Sequence, residues 1–201
     1  MTTPGTGAVP GRAVTPRPAP VPIETPRLVL RVAQPDDFGP LFARVLSDPV
    51  VMRHVDAGGA LDADRASAFF ATALDHDGSG GKPGVLVEKA TGELIGYAGP
   101  RGCRVLGADD LEIGFVLARA AWGRGYGGEI GRAQIAHVTG TLGRPRALAL
   151  AAPDNAASIA TLLAIGMLFA TSLEVAGRGR RNVYVTCAVH AAGNGPTGSG
   201  D

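Results

Sequence analysis

The sequence predicts an α+β fold of mixed α/β layers, and three observations carry that prediction. Runs with strand character are short and bounded by glycine, proline or asparagine. Amphipathic helical runs fall between them rather than in a separate block, so helices and strands must share one core. A glycine-rich turn, Trp122-Gly123-Arg124-Gly125-Tyr126-Gly127-Gly128-Glu129, joins one strand directly to a helix.

Met1–Pro22 is Pro, Gly, Thr and Ala with almost no large apolar side chain. It cannot bury enough surface to offset ordering entropy and is expected to be a disordered tail. Arg27–Val32 alternates apolar and polar residues and reads as a strand. Pro35-Asp36-Asp37 opens a helix running through Leu46, its acids suiting the positive N-terminus. Asp62–Leu74 reads as a second helix with Phe69 and Phe70 on its apolar side, and Asp77–Gly81 as a flexible loop. Val85–Glu88 and Leu94–Ala98 flank Thr91-Gly92 and form a hairpin. Leu111–Leu117 is the next strand, followed by the glycine turn and a helix to about Val138. Ala147–Ala151 is a short buried strand. Ala156–Ile165 is a helix closed by Gly166, and Met167–Val175 with Asn182–Val189 form a final antiparallel pair. Ala191–Asp201 is expected to be a second disordered tail. One domain, residues 23–190, lies between the tails.

The 201 residues are 45% hydrophobic, enough for one domain with a sizeable core. A formal net charge of +1 leaves no electrostatic footprint for nucleic acid or an anionic membrane. Cys103 and Cys187 lack zinc or CxxC spacing, and His54, His76, His137 and His190 lack metal-ligand spacing, so no metal is expected. No stretch is apolar and long enough to span a membrane, and the N-terminus does not read as a signal peptide. The expected setting is the cytoplasm, as a monomer or homodimer.

The glycine turn carries the chemistry. A turn between strand and helix directs several backbone N–H groups at one point, together with the partial positive charge of the helix N-terminus. That makes a diphosphate cradle from the N–H groups of Arg124 through Glu129, with Arg124 either adding a phosphate contact or lying in solvent. Gly123, Gly125 and Gly128 also fit the G-x-G-x-x-G of a dinucleotide-binding unit, but several elements precede this turn, and Asp154 is far downstream for a ribose-binding acid.

Three further stretches stand around that turn. Glu24-Thr25-Pro26-Arg27-Leu28-Val29-Leu30-Arg31 leads to Asp36-Asp37 and Ser47-Asp48-Pro49. Glu112-Ile113-Gly114-Phe115-Val116-Leu117 enters the turn, and Pro153-Asp154-Asn155-Ala156-Ala157-Ser158-Ile159 follows it. In this order and spacing the chain resembles the GNAT acetyltransferases, in particular the RimJ/RimL-like branch, from about Ile23 to Val189. The resemblance implies a central, mostly antiparallel sheet splayed between its fourth and fifth strands and flanked by helices. It implies acetyl-CoA as cosubstrate and transfer of the acetyl group to a primary amine, either a protein N-terminal α-amino group or a small molecule. A module that binds acetyl-CoA with little catalysis is the alternative.

The resemblance also implies roles. Phe115, Val116, Leu117 and Ala118 would pair their backbone with the pantetheine arm, and one N–H there would stabilise the oxyanion. Gly125, Tyr126, Gly127 and Gly128 would hold the diphosphate. Glu112 is a candidate base, or else a carboxylate that orients the substrate or pairs with an arginine. Asn155 would touch the pantetheine arm or cap its helix. Many members carry a tyrosine that protonates the leaving thiolate; Leu162 stands there, leaving Ser158 or water for that task. Arg119 stands where the branch often has proline. Arg53, His54 and Tyr97 are candidate acceptor contacts. Arg178, Arg180 and Arg181 either favour an acidic acceptor or form a solvated turn.

Overall fold

The computed structural model describes residues 23–55 and 59–186; both expected tails, and Cys187 and His190, lie outside them. The strands form two five-stranded sheets. The first comprises β1 (Ile23–Glu24), β2 (Leu28–Arg31), β3 (Gly84–Glu88), β4 (Leu94–Ala98) and β7 (Phe115–Leu117), in the order β1-β2-β3-β4-β7 and antiparallel throughout. The second comprises β5 (Arg101–Cys103), β6 (Asp110–Glu112), β8 (Ala147–Ala151), β9 (Met167–Val175) and β10 (Gly179–Thr186), in the order β5-β6-β8-β10-β9. Only β6 and β8 run parallel. The predicted mixed α/β architecture is the one observed.

The expected strand Leu111–Leu117 is in fact two strands, one in each sheet. The Ile113 amide still donates to the Leu148 carbonyl of β8 at 2.8 Å. At Gly114 the chain turns away: its carbonyl accepts from the Gly99 amide at 3.1 Å, and its amide donates to the Gln134 side chain at 3.3 Å. Beyond that point β7 pairs only with β4, while β8 continues to Ala151 paired only with β10. The two sheets therefore part like a wedge between β7 and β8.

Among the described residues, five α-helices cover the sheets. α1 (Phe38–Leu41) lies between a 3-10 turn at Pro35–Asp37 and a π turn at Phe42–Leu46. α2 (Pro49–Met52) was not expected; Asp48 caps it by accepting from the Val50 and Val51 amides. α3 (Ala63–Ala73) begins at its cap, Asp62. These three helices and the π turn pack Leu41, Val45, Leu46, Met52, Ala66 and Phe70 onto Val85 and Tyr97. α4 (Tyr126–Ala136) and α5 (Ala156–Ala164) cover the opposite face. There Tyr126 and Ile130 meet Leu28, Leu86 and Ile95, and Leu162 meets Ala147, Ala149 and Tyr184. No helix among the described residues is long and apolar enough to cross a membrane.

Two other local expectations change. The Asp77–Gly81 loop is organised around the buried Asp75 carboxylate, which accepts from the Gly78 and Gly80 amides at 2.8 Å each. β10 starts at Gly179 rather than Asn182, because Gly177 and Gly179 take left-handed φ values of 72° and 67° and close a tight hairpin with β9.

Candidate active site

Gly125 is the N-cap of α4 with φ +78°, and Gly123 has φ +72°. Both conformations lie in the region that glycine alone enters freely. They curl the turn so that the Tyr126, Gly127 and Gly128 amides, the orphans of the helix start, have no acceptor among the described residues. The expected donor set loses Glu129. Its amide donates to the Gly125 carbonyl at 3.1 Å, the first bond of the helix ladder. Its carboxylate turns outward, accepting from the Thr25 hydroxyl at 2.5 Å, the Arg27 amide at 2.9 Å and the Arg27 Nε at 2.6 Å.

The turn is anchored from below. Tyr126 is 2% exposed, and its hydroxyl donates to the buried Glu88 carboxylate. The Arg27 and Arg124 guanidinium groups stand 4.5 and 4.8 Å from its ring centroid. Arg124 also pairs with Glu88 at 2.6 Å, and Arg27 donates to the Arg124 carbonyl at 2.9 Å. Arg124 is therefore a partner of Glu88 rather than a freely solvated side chain. An open groove of about 460 Å³ runs beside the turn, lined by Thr25, Arg27, Gly125 and Arg132 among others.

β7 forms one wall of the wedge. Its even-numbered residues bond to β4: the Ala118 amide donates to the Ile95 carbonyl at 2.8 Å, and Val116 pairs with Tyr97. Strand alternation turns the backbone groups of Phe115 and Leu117 the other way, into the wedge. The Leu117 carbonyl is already taken by the Trp122 indole N–H at 2.8 Å, which folds the glycine turn back over the strand end. The Leu117 amide and both Phe115 groups remain. Val116 packs towards α1–α3.

Gln134 holds the wedge from beneath. It is fully buried in α4, accepts from the Gly114 amide, and has an Nε2 with no partner among the described residues. The sequence signal for it was a polar residue on an apolar helical stripe, four residues after Ile130 and four before Val138.

Glu112 lies on the opposite face of the sheet from α4. Arg101 and Leu148 are its register partners, and Leu150, Val183 and Arg181 follow on the same face of β8 and β10. Glu112 is 5% exposed and held between two guanidinium groups. Arg178 reaches its oxygens at 2.9 and 3.0 Å, and Arg101 at 3.0 to 3.1 Å. This is the geometry of an arginine-paired carboxylate, with both oxygens already accepting. Arg53 donates to His54 Nε2 at 2.9 Å, and His54 Nδ1 lies 3.4 Å from Asp154. Tyr97 is buried, its ring 5.5 Å from that of Phe69. Arg53 and His54 thus stand at the wedge mouth near Arg181, while Tyr97 lies in the core below α3.

On α5, Asn155 is the N-cap, its Oδ1 accepting from the Ser158 amide at 3.1 Å. Ser158 is half-buried in the first turn, just past the end of β8. Leu162 is 4% exposed and packs into the core.

With this geometry in place, the acetyltransferase (GNAT) domain family matches residues 27–168. The chain belongs to the GNAT acetyltransferase family. A protein of Bacillus subtilis (strain 168), the uncharacterized protein YkkB, is 28% identical over 151 residues, covering 75% of this chain and 87% of its own length. A putative ribosomal-protein-serine acetyltransferase from Vibrio cholerae has a similar structure, with TM-score 0.68 and 19% identity, covering 83% of this chain and 97% of that one. So does AAC(6')-Ib in complex with ribostamycin and coenzyme A, with TM-score 0.65 and 16% identity, covering 79% and 92%.

This GNAT acetyltransferase absorbs its unusual residues locally. Arg119 donates to Asp48 Oδ1 at 3.0 Å and so ties the approach to the glycine turn to the cap of α2. Leu162 fills core volume and presents no hydroxyl.

Proposed function

We propose that the chain transfers the acetyl group of acetyl-CoA to a primary amine by direct attack in a ternary complex, as a RimJ/RimL-like enzyme. The carrying observation is the wedge beside the glycine turn: a β7 edge and three helix N-terminal amides that lie next to each other and are unpaired among the described residues. The amides of Tyr126, Gly127 and Gly128 suit a diphosphate, aided by the helix dipole. The Phe115 backbone suits strand-like pairing with an amide-rich arm. The Leu117 amide then lies where a thioester oxygen would gain negative charge, a contribution of about 3 kcal/mol.

When bound, acetyl-CoA supplies a thioester carbon to which the amine lone pair adds as the C–S bond breaks. The chain holds the acceptor at the wedge mouth beside Arg53 and His54, and the amine proton passes to water. Glu112, saturated by two arginines, orients and sets local charge rather than accepting that proton. Ser158 or water returns a proton to the thiolate, whose ordinary pKa of about 8.5 makes it a tolerable leaving group unaided. Asn155 fixes the first turn of α5, which carries Ser158.

The test is thiol release from acetyl-CoA with a panel of primary amines, with mass spectrometry of the product. Acetylated amine and stoichiometric thiol are expected. Tight acetyl-CoA binding with no release for any amine would favour the alternative, a binding module. The buried Leu162 and the doubly paired Glu112 are the observations on its side.

A further inference from the structure

Among the described residues, the face of the sheet that carries Glu112 holds more positive charge than it neutralises. Arg101 and Arg178 share the single carboxylate of Glu112. Arg181, on the same face of β10, is 8% exposed and has no carboxylate within ion-pair distance among the described residues. Its guanidinium donates to two backbone carbonyls, that of Arg180 at 3.0 Å and that of His54 at 3.4 Å. Asp154, at the same mouth, is directed to His54 and is 79% exposed at its side chain.

A buried guanidinium without an anion is costly to keep, because desolvation is not offset by an opposite charge. Burial and the neighbouring Arg178 push the Arg181 guanidinium below its ordinary range, with Glu112 and Asp154 opposing only in part. Such a group is stabilised most by a planar anion that accepts two parallel N–H bonds. The register places Arg181 at the level of the wedge mouth. Its neighbour Asn182 pairs with Ala151, the last residue of β8, on the length of β8 that β7 leaves uncovered. The His54 carbonyl that it touches lies just after α2, on the acceptor side.

We propose that the acceptor is a primary amine bearing a carboxylate, and that Arg181 binds this carboxylate with Arg178 beside it. This rests on the acetyl-transfer reading above. The carboxylate would belong either to a free amino acid-like molecule or to an acidic residue following a peptide N-terminus.

The experiment measures kcat/KM of the full chain with acetyl-CoA for matched acceptors. γ-Aminobutyrate and 5-aminovalerate are compared with their amides, and Ser-Glu amide with Ser-Gln amide; 1,4-diaminobutane serves as the cationic control. The acidic member of at least one pair should be preferred at least tenfold, mostly through KM, and the pair that shows it identifies the source. Arg181→Gln should bring the ratio near one, while Arg181→Lys keeps only part of it, because an ammonium cannot give two parallel N–H bonds. Should Arg181→Gln fail to fold, glutarate inhibition of the unsubstituted enzyme, competitive with the amine, carries the test, and lack of inhibition overturns the proposal. Preference for the amides or the diamine, or an acid preference that survives Arg181→Gln, overturns it while leaving acetyl transfer standing. Failure to acetylate any amine defeats the acetyl-transfer reading itself, and this proposal with it.

Discussion

Gly127 shows how one missing side chain shapes the cofactor side. A Cβ built there would lie 2.9 Å from the Phe115 ring and 3.5 Å from Thr161 Cγ2. The glycine therefore lets α4 settle onto β7 as well as keeping its amide open. Gly127→Val should push α4 off the Phe115 ring and weaken acetyl-CoA binding at least tenfold, measured by calorimetry on folded protein. Unchanged affinity would remove the turn from the cofactor site. Glu88 supports the same turn from below. The Tyr126 hydroxyl holds its carboxyl below the ordinary range, outweighing burial, with Thr91 and Arg124 adding to the effect. The folded group thus releases its proton more readily than the unfolded one. Its stabilisation is complete above the unfolded value of about 4.3 and is lost as pH falls through the lower folded value. Glu88→Gln should lower Tm at neutral pH and flatten the fall of Tm below about pH 4.3. Parallel acid limbs in the two proteins would show that Glu88 does not carry this dependence.

At the scale of elements, legibility follows the range of the forces involved. Ala147–Ala151 and Met167–Val175 have the bounds their composition predicts, because local β propensity and burial agree there. The glycine turn was legible because left-handed φ values constrain residue type directly. The break at Gly114 was not. Strand-like residues run without a local breaker other than Gly114 from Leu111 to Leu117, and the groups that hold the break, Gly99 and the Gln134 side chain, lie fifteen and twenty positions away. The same reason hid the Arg101 and Arg178 clamp on Glu112 and the roles of Arg27 and Glu88 under the turn. Each depends on a pairing between elements that no local pattern encodes. β5 and α2 were missed because elements of three or four residues carry too little periodicity to register.

For the whole molecule, the first described strand is already fastened to the rest of the fold. β1 starts at Ile23, and its neighbouring Thr25 and Arg27 fasten the first sheet to α4 through Glu129. Removing residues 1–22 should therefore leave acetyl-CoA affinity unchanged and shift Tm by no more than the 2–4 °C that about 1 kcal/mol produces in a domain of this size. A fall of many degrees would show the tail packed on the core. The Arg119–Asp48 pair has a consequence at this scale too. It joins the glycine turn to the cap of the helix leading to Arg53 and His54, so on the proposed function the two ligands would share a mechanical link. Binding of either should then tighten the other by one common factor, since linkage is reciprocal. Arg119 is 56% exposed at its side chain, so the pair can transmit no more than about 1 kcal/mol, roughly fivefold in affinity. Arg119→Ala should erase that synergy while leaving each ligand's affinity for the otherwise empty protein nearly intact. Arg119 would then act as a thermodynamic messenger between two half-sites.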